Sequence, residues 1–330
     1  GEKHIEGFAS VHIQAAKDIA ASGDGKLDLA NAGDLQLQSA RLGTSTGADQ
    51  SITNADGRVN IDQAGSGADA GTALAEAGIG GKLAISGTQI SQGGLISVRA
   101  GELALQATGA QSEDNVTLQA GSRIEASGVE KKLGGISAYA PAGKVSLQSA
   151  NGNVDIKAAA GALSAAVVDL AGATDAADGS VGGNGSDAGT LSIRAGHGSL
   201  FLDGDLLAGT AAAGKRQGTF ELDVRNLGSY SALNRSLAAG GFTQSVDARI
   251  RTGNVLITAS DTGHAHQYRL SADQGAITVA GIIDAGGATG GRIELHANNG
   301  VTLTHGATLR ANATATGEQG GKVVLGTAAG

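Results

Sequence analysis

The sequence predicts an all-β protein, a parallel β-helix, and three observations carry that prediction. A phrase of aliphatic residues at alternate positions keeps returning along the 330-residue chain, for example at Gly143–Ser149, Asn153–Ala158, Gly253–Ala259 and Gly291–Ala297. Glycine is abundant (56 residues) while large side chains are scarce, with no Trp, no Met, three Tyr and four Phe. Strand starts recur every eight to ten residues, so that two or three of them make a turn of about 20 residues, the spacing of a solenoid repeat. Period-two alternation puts one face of each strand inward. A core without aromatic bulk must be thin, because rings normally fill a thick one.

In order along the chain, residues 1 to 61 supply the phrases Val11–Ala15, Lys26–Ala30, Asp34–Gln38 and, at its end, Arg58–Asp62. Residues 63 to 80 break the pattern with a Gly- and Ala-rich excursion in which Thr72–Ala77 reads as a short helical turn. Phrases resume at Lys82–Ile85, Leu95–Arg99, Glu102–Gln106, Asn115–Gln119 and Ser122–Ala126. Residues 171 to 190 hold almost nothing to bury and read as a mobile loop at one corner. Between 226 and 250, the spacing of Tyr230, Leu233 and Leu237 predicts a short amphipathic helix over Ser231–Ala239, read as a cover over a groove of the solenoid.

The expected cross-section follows from the phrases. Val145, Leu147, Ile277 and Val279 point inward and stack on equivalents in neighbouring rungs, while Ser146 and Thr278 face water. Roughly a dozen rungs at about 4.8 Å each would form a rod about 60 Å long. Corner glycines are expected at positive φ, with Asn153 and Asn254 able to take the same conformation. Neither end shows an obvious cap over Val11 or over Val323–Leu325. The expectation is a rod continued by further rungs, with end-to-end self-association as the alternative.

Composition excludes several classes of function. The 41% hydrophobic fraction is too high for a disordered chain. A net charge of −8, with basic residues adjacent only at Lys131-Lys132 and Lys215-Arg216, argues against a nucleic-acid partner. No run reaches the roughly 18 apolar residues of a membrane-spanning helix. The start, Gly1-Glu2-Lys3-His4-Ile5, is neither a signal peptide nor an initiator Met and reads as an interior or processed piece of a longer polypeptide. The absence of cysteine suits a chain that stays extended during export.

Chemistry is sparse. His264 and His266, with Asp261, form the one local histidine cluster, but no third ligand is visible and they read as exposed loop residues. Asp203 with Asp205, and Glu221 with Asp223, are the nearest approaches to a paired-carboxylate site. Gly182–Asp187 matches a calcium-roll phrase once, where several copies are needed. No catalytic, cofactor-binding or metal-binding residue is therefore assigned, and the chain is read as having no enzymatic activity.

The phrases GNVDIKAAAG, GNVLITAS, LSADQGAITVAGIIDAGGATGGRIELHANNGVTLTHGATLRA and GKVVLG resemble the filamentous-haemagglutinin-like family of bacterial exoproteins, the passengers of two-partner secretion. Residues 200–330 look most like a domain found within these proteins, and 1–199 resemble their generic repeats. The resemblance implies a right-handed parallel β-helix exported through an outer-membrane β-barrel partner to the bacterial cell surface, for adhesion, aggregation or toxin presentation. The expected role is a structural and adhesive shaft. Its expected partner is a host or bacterial cell surface or a glycan, contacted around residues 63 to 80, 171 to 190 and 226 to 250. Alternatives are a passive stalk for a distal effector, a fibre built by end-to-end stacking, and a β-helical carbohydrate-active enzyme.

Overall fold

The computed structural model describes residues 1–64, 78–175 and 184–327. Most of the predicted excursion at 63 to 80, including the turn at Thr72–Ala77, and the middle of the one at 171 to 190, including Gly182 and Gly183, lie outside the described residues.

The chain is a parallel β-helix with three faces. On the first face, twelve strands pair in sequence, starting with Glu2–Glu6, Asp24–Ala30, Asp49–Asn54, Lys82–Gly87, Glu102–Ala107 and Lys144–Ser149. The series continues through Thr190–Leu202, Thr219–Leu227, Ser245–Ile250, Gln267–Ala272, Arg292–Ala297 and Lys322–Gly326. Second-face strands run from Ser10–Gln14 to Val154–Ile156 and onto the second halves of Thr190–Leu202 and Thr219–Leu227, which turn the corner unbroken. Third-face strands run from Asp18–Ala21 to Asp205–Leu207.

The register explains the core. Leu27, Ile52, Ile85, Leu105, Leu147, Ile193 and Leu222 are successive partners on the first face, so one aliphatic ladder runs through the rungs. Val145, Leu147, Ile277 and Val279 are buried, as their phrases predict, and Ser146 and Thr278 lie between them on the outer side. Each fully buried aliphatic side chain contributes about 1.5–3 kcal/mol, so the repeated phrase is the main source of stability.

Corner chemistry differs from the expectation for asparagine. Among the described residues only Asn31 and Ala100 are non-glycine residues with positive φ, so Asn153 and Asn254 do not adopt it. Their side chains bond instead to the rung above: Asn153 Oδ1 accepts from Ser199 N (2.8 Å) and Asn254 Oδ1 from Ala276 N (2.9 Å). An amide that replaces a missing ladder bond satisfies a backbone donor without backbone strain. Glycine is also needed for proximity. A Cβ on Gly143 would collide with the Gly101 carbonyl oxygen, and one on Gly101 with that of Gly81, because the strand starts stack backbone on backbone.

The helix forms close to the predicted bounds, as α1, Tyr230–Gly240. Ser229 caps its start by accepting from Ala232 N, and Gly241, at φ 79°, closes its end. Its position corrects the reading of a cover over a groove. α1 packs between the third-face strand Asp205–Leu207 and the strands Val255–Ile257 and Thr262–His264 of the next rung, within the stack. The rung that carries it is no longer than usual. Thr252 bonds Asn226 across it at a separation of 26 residues, against 25 for the Arg269–Glu294 link two rungs on. α1 therefore replaces strands, and the second and third faces restart beyond it as Val255–Ile257 with Ile277–Val279 and Val301–Leu303, and Thr262–His264 with Ile282–Asp284 and Thr308–Arg310. Only the first face passes this level unbroken.

A helix is about 10 Å across, twice a rung spacing, and aliphatic ladders cannot fill that gap. Four of the chain's seven Phe and Tyr residues gather here: Phe220, Tyr230, Phe242 and Tyr268 are all buried, with Phe220 and Phe242 edge to face at 5.8 Å.

Candidate functional site

The outward positions of the first face form a trough. Its floor is the register series Ser51, Ala84, Ala104, Ser146 and Ser192, all small. One bank carries Asp49, Lys82, Glu102 and Lys144, and the other carries Gln148 and Arg194. Small residues between longer ones leave a groove of about 350 Å³ along Asp49, Lys82, Glu102, Lys144 and Ser192. It joins a second of about 590 Å³ bounded by His197, Glu221, Asp223, Asp247 and Arg249, and Ser192 and Arg194 line both.

Beyond the floor the ladder becomes charged, and most charges neutralise each other between rungs. Arg251 grips Asp223 with two parallel bonds, Nε to Oδ1 at 2.7 Å and Nη2 to Oδ2 at 2.9 Å. The guanidinium lies against Gly196, where a Cβ would come within 2.9 Å of its central carbon. Arg249 pairs with Asp273 (2.7 Å), and Arg269 bridges Asp247 (3.1 Å) and Glu294 (2.7 Å).

These contacts set the protonation states. The bonds from Arg251 hold the Asp223 carboxyl below the usual carboxylate range against the opposing effect of burial. Those from Arg269 and Arg292 lower Glu294. Asp247 moves the other way. Burial raises it and outweighs Arg269, and the neighbouring Glu221 and Glu294 charges push in the same direction.

Some groups are left over. Among the described residues, Lys144, Arg194 and Glu221 make no side-chain hydrogen bond and no ion pair within 4.0 Å. Ser192 is 2% exposed and its hydroxyl also has no hydrogen-bond partner there, although it lines both grooves. Chemically, the trough offers free donors at Lys144, Arg194 and Ser192 beside free acceptors at Glu221.

The structure separates the two carboxylate pairs noted in the sequence. Glu221 and Asp223 do project from one strand into the trough, whereas Asp205 opens the third-face strand Asp205–Leu207, two residues after Asp203. Asp261 does not face His264 or His266. It is buried and accepts from Ser231 Oγ, Thr258 N (2.8 Å) and Thr258 Oγ1 (2.6 Å), bonds that together outweigh burial and lower its carboxyl. Among the described residues no three His, Cys, Asp or Glu side chains converge on a possible metal position.

Next to Asp261, α1 holds a buried polar chain. Tyr230 and Tyr268 share a hydroxyl–hydroxyl bond of 2.9 Å, and Tyr268 donates to Asn234 Oδ1 at 2.9 Å. Burial keeps both phenols protonated, pushing Tyr268 up to about 12 and Tyr230 well above its ordinary value. This segment, expected as a contact site, turns its Tyr230, Leu233, Asn234 and Leu237 into the stack.

Two features escaped the sequence reading. The trough arises from residues about a rung apart, which only the register brings together. An antiparallel hairpin, Val129–Leu133 with Ile136–Ala140, leaves the solenoid with Leu133 and Ile136 exposed at its tip. Its turn, Gly134-Gly135 at φ 56° and 86°, is a two-residue hairpin signal legible in the sequence. Comparison with protein-family models, curated proteins and solved structures gives no match.

Proposed function

We propose that the chain is a structural and adhesive shaft of a large secreted bacterial surface exoprotein, of the filamentous-haemagglutinin-like kind its repeats resemble. It would reach the surface through an outer-membrane β-barrel partner and attach to host or bacterial surfaces. The observation that supports this most is the first face: twelve strands in continuous parallel register, spanning roughly 55 Å at about 4.8 Å per strand. A rod of this kind displays one long surface at fixed spacing. Arg251 engages both carboxylate oxygens of Asp223, which ties that side chain to the next rung and weighs against a Glu221–Asp223 acid–base pair and hence against the carbohydrate-active enzyme.

The test is adherence of beads coated with the purified chain to epithelial and bacterial cells, against beads coated with albumin. Specific adherence supports the adhesive shaft. Adherence no greater than that of albumin beads removes the adhesive part and leaves the passive stalk.

A further inference from the structure

We propose that the trough on the first face binds an acidic oligosaccharide in which a carboxylate-bearing sugar alternates with neutral ones. Arg194 and Lys144 would receive the carboxylate, and Glu221 and Ser192 the hydroxyls. The inference rests on the adhesive reading above and names its ligand class.

Two cations with no side-chain hydrogen bond and no ion pair within 4.0 Å set the first requirement, Arg194 acting on its register partner Asp223 only through its field. Lys144 is in register with Thr190, and Arg194 lies four residues further along that strand, so their backbone positions lie across the floor from each other, roughly 14 Å apart at about 3.3 Å per residue and about 4.8 Å per rung. An anion between them would gain charge-assisted hydrogen bonds that no described residue supplies. Ser192 sets the second. Its hydroxyl has no hydrogen-bond partner among the described residues and opens onto both grooves, where it can donate to and accept from a ligand. Glu221 sets the third. It is an unpaired acceptor one rung beyond Ser192, with Asp247 next in register.

A ligand meeting all three carries an acid group at one point and hydroxyl donors a few ångströms away. A densely charged polyanion is disfavoured, because Glu102, Glu221 and Asp247 line the same trough and would repel its charges. A peptide strand has no free edge to join, since every first-face strand in the trough is paired on both sides, and the small floor offers no apolar pocket. A sugar chain lying along the axis contacts floor and both banks at once.

Isothermal titration calorimetry on the full chain at low salt would use three octasaccharides: hyaluronan (alternating acid and neutral), maltooctaose (neutral) and heparin (densely sulfated). The expected result is binding of hyaluronan, with maltooctaose and heparin each weaker by about tenfold or more, the worth of one charge-assisted contact. Arg194→Gln should lose about tenfold for hyaluronan by the same measure, whereas Arg310→Gln on the third face should not. Arg194 is exposed and unpaired, so its variant should keep the parent circular dichroism spectrum.

No hyaluronan binding, equal affinity in folded Arg194→Gln, or tighter binding of heparin that survives that substitution would each overturn the proposal. The bead assay separates the two levels. Arg194→Gln beads that adhere as the parent does, with no hyaluronan binding in either, sink this ligand and spare the adhesive shaft. Parent beads that fail on every cell sink the adhesive reading whatever the calorimetry shows.

Discussion

Replacing Tyr268 by Phe tests whether α1 is an integral rung or an appendage. Tyr268 is 1% exposed, and its hydroxyl is the donor to Asn234 Oδ1 and the partner of the Tyr230 hydroxyl. Asn234 Nδ2 is already buried without a partner, so losing the phenol oxygen leaves the whole amide unbonded, together with the Tyr230 hydroxyl. A buried polar group deprived of its partner costs about 1–3 kcal/mol, and two such groups give about 2–6 kcal/mol. That is a large share of the roughly 5–15 kcal/mol that separates a folded domain from its unfolded chain. Asn234→Leu, of similar size and without polar atoms, should recover much of the loss when combined with Tyr268→Phe, with a coupling of about 1–3 kcal/mol. Urea denaturation followed by circular dichroism at 218 nm would measure all four corners of the cycle. A Tyr268→Phe chain within about 0.5 kcal/mol of the parent, uncoupled to Asn234, would refute the intercalated-rung account.

Gly143→Ala should lower the melting temperature far more than Gly134→Ala. The first methyl meets the Gly101 carbonyl oxygen and costs about 4 kcal/mol or more, while the second enters open space at the hairpin tip and bears only the strain of positive φ, about 1–2 kcal/mol. Acidification should destabilise the chain. The carboxyls of Asp223, Asp187 and Glu294 are lowered in the folded state, so their contribution is complete above the unfolded value near 4 and is lost as pH falls through their lower folded values. Asp247, raised by burial, works in the opposite direction and at higher pH: it regains stability as pH falls through its raised folded value, and the gain is complete below the unfolded value near 4. Melting curves between pH 6 and pH 2.5 should therefore slope less steeply in Asp223→Asn than in the parent, and parallel slopes would remove the Arg251–Asp223 pair from the account.

The sequence alone determined what depends on neighbours along the chain. Period-two aliphatics in a Gly-rich chain leave a strand only one inward face, and the recurrence of the phrase leaves the strands one way to bury it, on the rung before and after. The helix at Tyr230–Gly240 was legible for the same local reason, as was its amphipathic face. Its place was not, because a helix that covers a solenoid and one that replaces two strands within it share the same i, i+3, i+7 pattern; only the matched rung lengths and the gathering of Phe220, Phe242 and Tyr268 around it decide the case. The Asn corners required tertiary structure too, since Asn153 is held by a bond to Ser199, 46 residues away. The trough is the extreme example. Lys144, Ser192, Arg194 and Glu221 are unremarkable residues of separate phrases, and only parallel register, which sets one rung upon the next, makes them a single surface.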